Sequence, residues 1–477
     1  MANNIRYVCL SDLHLGEEDS LLTNLKPDST TTDPRYPSLV MKRLIDCIRH
    51  LIENANYGRK PILVLAGDVL ELALATVNQA AMVFERFIEL TLQPDEALFS
   101  GIIYLPGNHD HHFWESARET QYAKHIGKLR PGKHLPIPWH VTRMFEKNPS
   151  KLPQAYLLTT LIQRHAHLGK NGIEINAAYP NYGILSRDEQ KCVIFHHGHF
   201  IDSLYTLMSF LKTLVFPKRE MPKYTWDIEA ENFAWIDFFW STMGRSGEFG
   251  QDVELIYEKM RDEAEFKKLL SGLAKNLKDK YDLPGPDWAA AKLIEKILHA
   301  AADKAFETER KMKDKPLSKN GREGLKKYMR GPLKEQILRE RSGNMPIDVT
   351  FVFGHTHKPF QKDMNFQGYP QWVNVYNTGG WVVDTVKPEP LHGASMILID
   401  EKLNATSIRM YDQKEDAAAS SVKVLEARHK TEPSNPFHLK IQDLVHPSEN
   451  PWKTFSETVA QESKIRYKNL KERISSG

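Results

Sequence analysis

Five short clusters in this chain carry side chains able to hold cations. They are Asp12-Leu13-His14, Gly67-Asp68, Gly107-Asn108-His109-Asp110, His196-His197-Gly198-His199 and Gly354-His355-Thr356-His357. Divalent cations of hard or borderline character take carboxylate, amide oxygen and imidazole ligands. The clusters offer Asp12, Asp68, Asn108 and several histidines, without a thiolate. That set suits two cations such as Mn²⁺ (favoured here), Fe²⁺ or Zn²⁺. Two such ions ~4 Å apart clamp a phosphate and activate a bridging hydroxide. Asp68, between the other groups on a strand end, is the natural bridging carboxylate.

Each cluster stands at or just past the end of a short apolar run that reads as a buried strand. The runs are 5–10, 61–66, 102–105, 192–195 and 348–353. Open α/β sheets build their sites beyond the carboxyl ends of their strands. Between the first three runs lie amphipathic helical patterns at 38–55 and 77–92. Three strand–helix units in succession predict a right-handed, largely parallel sheet. Segments 173–178 and 182–185 read as two strands of a hairpin or meander, and 128–153 as loop. Further strands are predicted at 372–376, 396–399 and 406–410. The first of these is followed by Asn377-Thr378-Gly379.

From about 203 to 346 the strand pattern vanishes. Helical segments are predicted at 204–216, 228–243, 253–277, 289–306 and 321–338. A helical block between two ligand clusters must leave the core and return to it, as loops tolerate. The expected organisation is therefore a core at 1–202 and 346–411, a helical insertion at 203–345, and a charged, partly helical tail at 412–477. Entering directly after His197-Gly198-His199, the insertion is placed to form a cap.

Composition sets the wider bounds. The 477 residues are 41% hydrophobic and 26% charged, with a formal net charge of +3. That describes an ordinary globular protein, and its charge is too mild to argue for nucleic acid, although local basic patches leave such a partner open. Cys9, Cys47 and Cys192 form no C-x-x-C pair and read as buried reduced thiols in a reducing, cytoplasmic setting. A strand beginning at Ile5 leaves no room for a signal peptide, and no apolar run reaches the ~20 residues of a membrane helix. Oligomeric state is not legible.

The series Asp12-x-His14, Gly67-Asp68-x-x-Glu71, Gly107-Asn108-His109-Asp110, His197-Gly198-His199 and Gly354-His355-x-His357 resembles the calcineurin-like metallophosphoesterase superfamily, with all five blocks in family order. The resemblance covers the core and not the insertion or tail. It implies an α/β or α+β fold, a double-layered β-sandwich flanked by helices, and a dinuclear phosphoesterase site. One metal would be held by Asp12, His14, Asp68 and His357, and the second by Asp68, Asn108, His197 and His355. Asn108 would also touch the phosphate. His109 would protonate the leaving oxygen or stabilise the transition state, with Asp110 orienting it. Glu71 reads as a supporting or packing residue. His197 is the family's ligand position in its cluster because it directly precedes the glycine. Alternation along a strand puts His196 on the opposite face.

The expected activity is metal-dependent hydrolysis of phosphomonoester, phosphodiester or pyrophosphate bonds by attack of a metal-bridging hydroxide. A cap lined by Trp235, Phe238 and Trp240 favours a substrate with a sizeable organic part, such as a nucleotide or a lipid-linked diphosphate. A nuclease is the first alternative, and a continuous basic stripe beside the metals would mark it. A catalytically silent scaffold of the same fold is the second, and retention of His109 with every ligand speaks against it. His165 and His167 repeat the H-x-H spacing without a glycine or buried strand and read as surface. Asp202 reads as a helix cap, and the basic stretch 311–341 as a solvated helical face.

Overall fold

The computed structural model describes residues 3–27, 29–216, 218–242, 315–383, 385–413, 422–429 and 431–476. The helices expected at 253–277 and 289–306 lie outside these residues.

Two mixed sheets carry the molecule. The first has seven strands: β1 (Ile5–Leu10), β2 (Ile62–Leu65), β3 (Gly101–Tyr104), β4 (Ile175–Ala177), β10 (Gly393–Asp400), β11 (Ala405–Asp412) and β12 (Lys423–Leu425). Its spatial order is β12-β11-β10-β1-β2-β3-β4. The second contains β5 (Asn181–Leu185), β6 (Lys191–His196), β7 (Asp348–Phe353), β8 (Phe360–Met364) and β9 (Val373–Asn377) in the order β5-β6-β7-β9-β8. Strands β1 to β4 are parallel, as the strand–helix repeats predict, but β10, β11 and β12 extend that sheet antiparallel. In the second sheet β6, β7 and β9 run parallel, with antiparallel edges at β5 and β8.

The expected hairpin of 173–178 with 182–185 does not form. β4 pairs with β3 in the first sheet, whereas β5 pairs with β6 in the second. The short link through Ala178, Tyr179 and Pro180 passes the chain from one sheet to the other.

Alternation along the strands packs the two sheets face to face. Tyr7 and Cys9 of β1, Val64 of β2 and Ile103 of β3 share one buried cluster with Val193 and Phe195 of β6, Val352 of β7 and Tyr376 of β9. The other face of the first sheet, through Val8, Leu10, Leu63 and Leu65, meets the helices α1 (Leu39–Ala55), α2 (Val77–Thr91) and α4 (Tyr156–Gln163). Helices α9 (Pro436–Gln442) and α10 (Trp452–Ser476) of the tail join them through Phe437, Trp452 and Phe455. α1 forms where its periodicity predicts, capped by Ser38, whose Oγ accepts from the Met41 amide at 3.0 Å. Helix α3 (His112–Ile126) starts directly behind the third cluster.

The outer face of the second sheet is covered by the described part of the insertion. That part comprises α5 (Leu207–Val215), α6 (Thr225–Ile236), α7 (Lys319–Tyr328) and α8 (Lys334–Glu340). Ile228, Ile236, Leu325 and Ile337 pack there against Ile194, Val349 and Phe351. The insertion therefore buries half of a core rather than standing apart from it. All three cysteines are buried with free thiols. Among the described residues no helix is long and apolar enough to cross a membrane.

Candidate metal centre

The five clusters meet. Asp12 and His14 follow β1, Asp68 follows β2, Asn108 follows β3, His197 follows β6, and His355 and His357 follow β7. These are parallel strands of two different sheets, so the ligands converge where their carboxyl ends abut. The bends are sharp. Asp12, His14, Asp68, His355 and His357 all have positive φ, between 44° and 71°. Left-handed backbone is costly for residues other than glycine and persists where the surroundings enforce it. Here it turns side chains inward immediately after a straight strand. Gly354 is needed for close approach: a Cβ there would lie 2.1 Å from Oδ2 of Asp12.

Two groups of buried donors result. Asp12, His14 and His357 bring one ligand atom each within 4.8 Å of one another, as do Asp68, His197 and His355. Asp68 links the groups, its Oδ2 lying 3.8 Å from Nε2 of His14 and 3.2 Å from Nε2 of His197. Asn108 Oδ1 is 3.1 Å from the same His197 nitrogen.

Hydrogen bonding shows which atoms are left for a cation. His14 Nδ1 donates to Glu71 at 2.8 Å, and His197 Nδ1 donates to the carbonyl of Ala66 at 3.1 Å. Each bond engages Nδ1 and leaves Nε2 directed into the centre, where loss of its proton would free a lone pair for a cation. There His14 Nε2 faces Nε2 of His357 at 3.2 Å, and His197 Nε2 faces the oxygens of Asp68 and Asn108. Asp68 Oδ2 accepts no hydrogen bond and Asn108 Nδ2 donates none, although both are buried. Acceptors turned on one another in a dry site are satisfied by a cation, so the donor set fits one.

The charges are strongly perturbed. Burial pushes the Asp12 carboxyl up to about 6. Burial acts on Asp68 as well, but the imidazoles of His197, His109 and His14 outweigh it and hold that carboxyl well below the usual range. Burial disfavours charge on His197, yet Asp68 and Asp12 lift it to about 9.

Glu71 is the residue whose role the sequence understated. Its carboxylate accepts from Nδ1 of His14 and, at 2.8 Å, from Nδ1 of His109. The amides of Ala73 and Leu74 hold it in turn, at 2.7 and 3.0 Å. The orienting contact expected of Asp110 is thus made by Glu71. Asp110 instead accepts from the backbone amides of Gly107 at 2.7 Å and Val69 at 2.8 Å, tying the second and third cluster turns together. The physical reason is reach: a carboxylate beside the four turn amides of Asp68, Val69, Leu70 and Gly107 is captured by them, whereas Glu71 projects from the turn after the neighbouring strand β2.

His196 does lie on the opposite face, against Tyr328 and Phe351. Asp202 accepts from the Leu204 amide at 3.0 Å as a cap, and also lies 3.8 Å from His355 Nε2. His165 pairs with Glu85, and His167 is exposed, away from the centre. The described part of the basic stretch exposes Lys319, Lys327 and Arg330 while burying Leu325 and Leu333.

The aromatic run does not form one lining. Phe238 is 62% exposed, and Trp235 Nε1 donates to the Leu204 carbonyl. Trp240 packs 6.2 Å from the ring of His109 and 5.3 Å from Tyr205, which lies 5.0 Å from His355. The run passes from α6 into a wider π-helical turn (Asp237–Thr242), so its side chains fan out instead of repeating on one face.

A second buried cluster joins insertion to core. His111 Nε2 lies 2.8 Å from Glu229 Oε1, and Glu229 Oε2 accepts from the Tyr179 hydroxyl at 2.8 Å. The same hydroxyl is 3.0 Å from His199 Nε2. His111, Glu115 and Glu229 also bring one ligand atom each within 4.8 Å of one another. Sequence reasoning missed this network. The available signal was the spacing Thr225, Glu229, Asn232, Ile236, one buried face of α6 that is mostly polar.

No family model matches the chain, and no curated protein matches it.

Proposed function

We propose that this chain is a metal-dependent phosphoesterase of the calcineurin-like metallophosphoesterase type, binding two divalent cations. The observation that carries the reading is the buried Asp68 Oδ2, which belongs to one three-donor group with His197 and His355 and lies 3.8 Å from Nε2 of His14 in the other. The motif order and the two face-to-face sheets support the same reading.

Asp12, His14, Asp68 and His357 would hold one cation, and Asp68, Asn108, His197 and His355 the other. When bound, the pair supplies Lewis acidity to the phosphoryl group and an activated water. The chain's own residues do the rest. Glu71 fixes His109 through Nδ1 and leaves Nε2 to protonate the departing oxygen. Asn108 Nδ2, which has no partner of its own, donates to a phosphate oxygen. Tyr205 and Trp240 exclude water from the flanks of the centre.

The test is Mn²⁺-dependent hydrolysis of bis-p-nitrophenyl phosphate and of the monoester, by wild type and by Asp68→Ala. Turnover that needs metal and vanishes in the variant supports the reading. Absence of turnover by folded, manganese-loaded wild type removes it. The diester-to-monoester ratio narrows the bond type.

A further inference from the structure

A cavity of about 780 Å³ opens next to the candidate metal centre, between the turn after His199 and helices α5, α6 and α7. Its volume falls within the ~300–1,000 Å³ of small-molecule sites. Asp202 belongs to both places: it lines the cavity, and its Oδ2 is 3.8 Å from Nε2 of His355. Helix α7 lies with its backbone directly on that turn, because a Cβ on Gly324 would come 1.9 Å from the Ile201 carbonyl oxygen. The cavity wall and the segment behind His197 are thereby one unit.

The lining is graded. Phe200, Ile201, Ile228 and Tyr328 form a buried floor. Lys223, Asn320, Glu323 and Lys327 are exposed at the rim. The one polar atom those floor side chains offer, the Tyr328 hydroxyl, already donates to Asn181 at 3.0 Å. A nucleobase placed on this floor would exchange its hydrogen bonds to water for at most the acceptor side of that hydroxyl and the half-buried lining groups Asp202, Ser203 and Thr206, which is costly. A hydrocarbon chain loses nothing and removes apolar surface from water.

We propose that the cavity seats a hydrocarbon chain of the substrate, so that the substrate is an amphiphile whose phosphate lies at the metals. The proposal rests on the phosphoesterase reading and adds the substrate class to it.

Two measurements test it. The first is binding of 11-(dansylamino)undecanoic acid, followed by fluorescence without added metal. Wild type binds, and two variants weaken binding at least about tenfold, because burial of methylenes supplies the affinity. Gly331→Trp projects into open space from a lining residue whose Cβ meets nothing within 4 Å. Met221→Asp places a charge at a lining position that is already 44% exposed and so leaves folding intact. Equal binding by wild type and both variants overturns the proposal.

The second is Mn²⁺-dependent hydrolysis of p-nitrophenyl phosphodiesters carrying a methyl, octyl or hexadecyl group. The octyl-to-methyl ratio of kcat/KM is expected to reach at least about tenfold in wild type and to fall towards one in Gly331→Trp. Turnover without chain-length dependence overturns the proposal alone. No turnover of any ester by the manganese-loaded protein overturns the phosphoesterase reading and the proposal with it.

Discussion

Among the described residues, buried side chains able to hold a metal gather in two places, at the sheet edges and around His111, and the two differ in what their atoms face. At the sheet edges, groups that a cation takes as ligands converge from several strands: His14 Nε2 against His357 Nε2, and His197 Nε2 against Asp68 and Asn108. In the cluster around His111, acid faces donor. Glu229 takes a hydrogen bond from Tyr179 and pairs with His111, and Glu115 is held by the Arg118 guanidinium. Distances alone do not separate the two. Satisfaction of hydrogen bonds does, because a buried acceptor without a donor is expensive and a cation resolves it. The first cluster could hold an ion, in keeping with the proposed function, and the second is an ion-pair network that docks α6 on α3.

The sharpest break of this comparison is Asp68→Ala. It should reduce metal-dependent turnover to background and lower the bound-manganese count measured by plasma mass spectrometry, with circular dichroism unchanged. An unchanged metal count would erase the distinction between the clusters. Glu229→Ala should act in the opposite sense. It leaves His111 buried without its main counter-charge, which costs about 3–5 kcal/mol for a broken buried pair. Thermal or urea unfolding should report that loss while the manganese count stays at the wild-type value. Loss of metal in this variant would show that the second cluster also holds an ion.

Glu71→Gln probes the contact shared by His14, the proposed ligand, and His109, the proposed acid. A partner behind a metal ligand is worth about 10–100-fold in affinity or activity. Turnover should fall by that amount with the fold retained, and its pH profile should shift as His109 loses the carboxylate at Nδ1; Asp110→Asn should not reproduce that shift, since it is Glu71 that accepts from His109 Nδ1. The smallest effect concerns pH. Burial disfavours charge on His111, but Glu229 and Asp237 outweigh it and lift its pKa to about 10. A histidine raised above its unfolded value of ~6.5 contributes stability that is complete below that pH and is lost as pH rises through the folded value. Stability in urea should therefore decline between about pH 6.5 and 10, less so in Glu229→Gln. A flat profile would argue that His111 is neutral in the folded chain.

The positions of β1, β2, β3, β6 and β7 were legible because short apolar runs bounded by glycine and polar turns have few alternatives. The candidate ligands were legible for a related reason: each sits within a few residues of such a run. What lay beyond sequence was partnership across space. Glu71 and Asp110 are both carboxylates near His109 in chain order, and only the turn geometry decides which one meets its Nδ1. Glu229 looks like a solvated helix residue until α6 is seen docked on His111. The pairing of β4 with β3, and the spread of Trp235, Phe238 and Trp240 onto different surroundings, likewise depend on neighbours far along the chain.

Local chemistry and periodicity in the sequence thus determined the strands that lead into the clusters, helices such as α1 and α2, and the inventory of cation-binding side chains, since these follow from a residue and its near neighbours, whereas β8, β12, α3, α4 and α9 carried no such signal. The tertiary structure alone decided which atoms face which. Two sheets had to abut before Asp68 could lie between His14 and His197, and the insertion had to pack on the second sheet before a cavity formed beside His355. Both outcomes are set by burial and by the pairing of polar groups across hundreds of residues, and no local pattern encodes them.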